Sequence, residues 1–100
     1  MAKNRDPEDV KRFACMIGSN LRYLRLDRKV FMPQKVPASF LGVSFQQMEK
    51  YENGKNVPCS YRLVQLADFY KVTPNDITNP DYIQNKSIEK GVIHVDNWKR

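Results

Sequence analysis

The chain is poor in the residues that build reactive centres. It has one histidine, His94, and two cysteines, Cys15 and Cys59, which lie far apart. Two such cysteines make neither a disulfide framework nor the paired spacing of a zinc site. No metal is expected, and the two thiols are read as buried or half-buried. Glycine is also scarce, with four residues, and none falls in a phosphate-cradling pattern. There is no paired-carboxylate pocket and no nucleophile–histidine arrangement, so an enzyme is not expected. Long apolar runs are missing too. Nothing approaches the roughly 20 residues that span a bilayer. The opening MAKNRDPEDVKR has no hydrophobic segment behind its charges, unlike a secretory signal. The expectation is a cytoplasmic protein with no membrane partner and no cofactor.

Positive charge is abundant by contrast. The net charge is +6, and residues 1–35 carry nine Lys/Arg against four Asp/Glu. A basic end on a small domain points to a polyanionic partner. The hydrophobic fraction of 41%, with 11% aromatic, fits a folded chain rather than a disordered one. At 100 residues that chain is expected to be one domain with a small core, followed by a tail.

The spacing predicts an all-α fold. Asp6-Pro7-Glu8-Asp9 supplies an N-cap, a first-position proline and acids at the positive end of the helix dipole. Val10, Phe13, Ala14, Ile17, Leu21 and Leu24 then recur at three- and four-residue steps, giving a first helix from about 7 to 28 with one apolar face. Pro33 ends it by disfavouring helix at Met32. A short second helix closes at Leu41, where Gly42 can take the left-handed C-cap conformation. Ser44 caps a third helix that Asn53-Gly54 ends. Cys59 or Ser60 starts a fourth, with Leu63, Leu66, Ala67 and Tyr70 inward, and Thr73-Pro74-Asn75-Asp76 starts a short fifth around Ile77. From Asn79 the signals fade; Val92, Val95 and Trp98, or Ile93 and Val95, could form a strand.

Helix, short turn with glycine, helix is the signature of a helix-turn-helix. On a helical wheel Met48 and Tyr51 of the third helix point to one side, with Glu52 and Gln47 flanking them. Gln46, Glu49, Lys50 and Asn53 point the other way, with Phe45 at the rim. Successive glutamines are not the usual dress of a solvated helix, which favours Glu–Lys pairs. Gln pairs bidentately with adenine and Lys donates to guanine, so this face reads as one that recognises base edges of double-stranded DNA. Arg22 and Arg25 are both candidates to clamp phosphates.

These residues also carry a family resemblance. Leu21-Arg22-Tyr23-Leu24-Arg25, Gln34, Ala38, the block LGVSFQQMEKYENGKNVP and the later LVQLADFYKVTPNDI resemble the phage-repressor (Xre, lambda-repressor-like) helix-turn-helix family over about residues 14–78. The resemblance implies a five-helix domain, usually dimeric, that binds operator DNA and regulates transcription, with repression the expected mode. It places Ser44, Phe45, Gln46, Glu49 and Lys50 at major-groove positions. Gln34, Asn53, Lys55, Asn56 and Arg62 fall near phosphates. It also pairs Arg25 internally with Glu52, as a buried ion pair between the first and third helices. Two features depart from the pattern. The link between Arg25 and Gln34 is slightly longer than the family norm, and Pro37 stands where a buried Leu is usual. A proline is tolerated only in a first turn, so the second helix should start late, between Gln34 and Pro37.

The domain boundaries that follow are 1–78 for the DNA-binding domain, with an extended first helix, and 79–100 for a C-terminal tail. Tyr82, Ile83, Ile88, Val92, Ile93, Val95 and Trp98 in that tail need covering. A homodimer built partly on Tyr82 to Trp98 would cover them; folding back on their own domain is the alternative. Other functions on the same scaffold are the antitoxin of a toxin–antitoxin pair, whose tail binds a toxin, and a protein-interaction domain without DNA binding.

Overall fold

A computed structural model describes residues 6–91, and every described element is helical. The elements are α1 (Pro7–Leu26), α2 (Lys35–Leu41), α3 (Phe45–Glu52), α4 (Ser60–Tyr70), α5 (Pro74–Ile77) and α6 (Tyr82–Glu89). None is long and apolar enough to cross a membrane. The strand considered for Val92–Trp98, and His94 with it, lies outside the described residues.

Local chemistry accounts for most of the helix ends. The Asp6 carboxylate accepts from the Glu8 amide at 3.0 Å and opens α1. That helix stops at Leu26, two residues sooner than expected, because Asp27 leaves the helical region. Thr73 and Asp76 form a reciprocal capping box at α5: the Thr73 hydroxyl accepts from the Asp76 amide, and the Asp76 carboxylate accepts from the Thr73 amide. Pro37 is buried at the third position of α2. Its missing N–H falls among the first-turn donors that lack intrahelical partners, and Ala38, the next residue, makes the first such bond, to Gln34.

The core gathers Ile17, Leu21 and Leu24 of α1, Ala38 and Leu41 of α2, Met48 and Tyr51 of α3, Leu66, Ala67 and Tyr70 of α4, then Ile77 and Tyr82. α1 packs on α3, and α2 packs on both α3 and α4. The α1–α3 contact is close: a Cβ on Gly18 would sit 2.4 Å from the Glu52 carbonyl oxygen and 2.6 Å from that of Tyr51. Only glycine lets the end of α3 lie against α1 there. The buried Asn20 amide donates to the carbonyls of Ile77 at 2.8 Å and Asn79 at 2.9 Å, fastening α1 to the end of α5.

Three expectations need correction. First, α6 is a sixth helix where no element was read, and residues 82–90 lie back on α1. Tyr82 is buried, edge-on to Tyr23 with ring centres 6.1 Å apart. Lys90 pairs with Asp27 and lies over the Tyr23 ring. That bond holds the Asp27 carboxyl below its ordinary range and raises the Lys90 ammonium. Second, Val10 and Phe13 are exposed, lining an open groove with Val57 rather than facing the core. Third, Cys15 and Cys59 are exposed free thiols, one on α1 beside Gly54 and one at the N-cap of α4.

Candidate functional site

The site is built on the α2–α3 turn. Gly42 has φ 78°, and its amide donates back to Ala38 and Ser39, closing α2. Two residues later the Ser44 hydroxyl oxygen accepts from the Gln47 amide at 3.1 Å and starts α3. The short turn leaves little freedom in the angle between the helices. Met48, Tyr51 and Glu52 then face inward, so Phe45, Gln46, Glu49, Lys50 and Asn53 are exposed on the opposite side, with Ser44 at the cap. Phe45 is half exposed at 51%, at the rim of this face.

Beneath this face lies a charged joint. Arg25 Nε donates to Glu52 Oε2 at 2.8 Å and a terminal nitrogen donates to Oε1 at 3.0 Å. Both side chains are almost wholly buried. The third guanidinium nitrogen donates to the Met32 carbonyl at 2.8 Å, and Gln34 Nε2 donates to Glu52 Oε1 at 3.0 Å. The pair therefore ties α1, the α1–α2 loop and the end of α3 together. Tyr70, whose buried hydroxyl has no partner among the described residues, feels both charges; burial raises its phenol above the ordinary value.

The residues expected near phosphates separate into two groups. Asn53, Lys55 and Asn56 are exposed in the turn after α3. There the Asn53 side chain accepts from the Lys55 amide, Asn56 donates to the Lys55 carbonyl, and Gln47 donates to Asn56. Gln34 and Arg62 are half-buried and make bonds within the scaffold. Gln34 binds Glu52, and Arg62 donates to the Leu41 carbonyl at 2.7 Å and to Gln65. Arg62 thus clasps the end of α2 from α4.

No family model, curated protein or solved structure matches this chain. Its surface has to be judged on its own chemistry. Among the described residues no group of three His, Cys, Asp or Glu is placed to hold a metal. The sequence did not single out a groove beside the start of α3, lined by Arg22, Phe31, Lys35, Phe45 and Glu49 over Arg25. Its one legible signal is Phe31, a large aromatic in a loop of basic residues.

Proposed function

We propose that the chain is a sequence-specific DNA-binding transcriptional regulator, acting as a repressor, with a lambda-repressor-like helix-turn-helix in which α3 enters the major groove. The observation that carries this reading is the exposed face of α3. Gln46 and Lys50 lie one turn apart on a helix whose opposite side is locked into the core. Side chains four residues apart are neighbours on a helix, so these two can reach adjacent base pairs. Gln46 can accept from and donate to adenine, and Lys50 can donate to guanine. Phe45 at the rim suits a thymine methyl, which gives an exposed aromatic ring an apolar partner. Glu49 orients Lys50. The Lys55 ammonium meets phosphate, adding affinity without sequence information. The net charge of +6 favours the approach to a polyanion.

Selection of bound sequences from a random DNA pool tests the reading. A consensus with two-fold symmetry is expected, since a dimer reads two equivalent half-sites. Recovery of unenriched sequence would overturn it.

A further inference from the structure

We propose that the α1–α2 loop is a second DNA-contacting element: Phe31, with Arg22 and Lys35, completes beside Phe45 a groove that holds one sugar–phosphate strand flanking the bases under α3. The inference rests on the reading of α3 given above and extends it to Arg22 of α1, Phe31 of the α1–α2 loop and Lys35 at the start of α2.

The loop is fixed, not trailing. On one side the Arg28 guanidinium donates to the Leu24 carbonyl at 3.2 Å and lies over the Tyr70 ring, 5.8 Å from its centre. On the other, the Met32 carbonyl is held by Arg25, which is itself bound to Glu52 at the end of α3. The Val36 amide closes onto the Pro33 carbonyl at 3.1 Å. Phe31, between these anchors, is 72% exposed all the same. Phe31 lines the same groove as the half-exposed Phe45, and two bare aromatic side chains in one groove make an apolar surface that a partner can cover.

The open groove, of about 520 Å³, has an ordered chemistry. Arg22 and Lys35 are exposed cations contributed by α1 and α2. Phe31 and Phe45 supply two apolar walls. Arg25 lies in the floor with its charge matched by Glu52. Glu49 is the one exposed acid in the lining, on the α3 side, and repels phosphate. A strand therefore lies with its phosphates toward Arg22 and Lys35 and its deoxyriboses against the two rings, while the bases turn toward α3. Two cations and two apolar rings lining one groove are complementary to a nucleic-acid backbone.

The experiment compares the full chain with Arg22→Ala, Phe31→Ala, Lys35→Ala and Gln46→Ala on the selected DNA and on scrambled DNA across a salt series, with a hydroxyl-radical footprint of each complex. Arg22→Ala and Lys35→Ala should each flatten the slope of log affinity against log salt by about 0.9. Phe31→Ala should weaken binding roughly tenfold, the scale of uncovering part of an aromatic side chain, and leave the melting temperature unchanged. All three should keep the preference for selected DNA and lose protection on one strand at the flank. If Gln46→Ala erodes that preference but the groove variants bind, respond to salt and footprint as the parent does, the groove proposal is overturned and the reading of α3 stands. If the parent chain prefers no DNA, both are overturned.

Discussion

Replacing Glu52 with Gln keeps the shape of the side chain and removes its charge, which isolates the role of the joint under α3. Glu52 accepts from Arg25 Nε, from a terminal Arg25 nitrogen and from Gln34, at 2.8 to 3.0 Å. A Gln there has one acceptor oxygen and an NH2 that must face one of those donors. Arg25, with its side chain 6% exposed, keeps a positive charge that neither the protein nor water neutralises. Stranding one member of a buried pair costs about 3–5 kcal/mol. A domain of this size has about 5–15 kcal/mol in total, and each kcal/mol lowers the melting temperature by about 4–8 °C. Thermal unfolding followed by circular dichroism should therefore show a fall of more than about 10 °C. The double variant Arg25→Met, Glu52→Leu should fall less far, because it strands no charge. An unchanged melting temperature for Glu52→Gln, or a double variant worse than the sum of the two single ones, would refute the reasoning.

Three further outcomes follow from particular contacts. Gly18→Ala pushes a methyl against backbone oxygens at 2.4 and 2.6 Å that cannot yield; it should destabilise by about 1–3 kcal/mol in urea titration, despite alanine's better helix propensity. Tyr70→Phe removes a buried hydroxyl that has no partner among the described residues and should raise the melting temperature. The same phenol ties stability to alkaline pH: because burial raises its pKa in the folded state, its contribution is fully present below about 10 and is lost as pH rises beyond, so the Phe variant should resist alkaline unfolding better. Lys55→Ala should weaken binding to selected and scrambled DNA alike, flattening the salt slope by about one unit.

Much of the helical framework is written locally in the chain. Asp6-Pro7, Ser44 and Thr73 through Asp76 make hydrogen bonds within three residues of themselves, and such contacts do not depend on the rest of the fold. Pro37 announces its own position near a helix start because only there does it forfeit no bond. α6 is different. Asp81 provides no side-chain cap, and the helix is held by Tyr82 against Tyr23 and by Lys90 on Asp27, partners some 60 residues away in sequence. Contacts of that range leave no mark in local pattern. Periodicity also overstated α1: it identifies a face at Val10 and Phe13 but not whether anything lies beneath it.

The candidate site divides along the same line. The outward set on α3 follows from helical geometry once Met48 and Tyr51 are known to face inward, so its exposure was legible. The inward engagement of Gln34 and Arg62 was not, since a long polar side chain reaches several neighbours and the fold selects one. Phe31 joins Phe45 in a loop that Arg25 fastens at the Met32 carbonyl, and Lys35 through the packing of α2 on α3, neither of which a local pattern announces.

The most direct measurement is the ratio of affinities for selected and scrambled DNA, taken at one salt concentration for the parent chain, Gln46→Ala and Lys50→Ala. A face that reads bases predicts that each substitution costs about 1–3 kcal/mol on the selected DNA, little on the scrambled DNA, and relaxes preference at one base pair in each half-site. Equal losses on both DNAs, with the ratio unchanged, would contradict the account: α3 would then touch DNA without reading it.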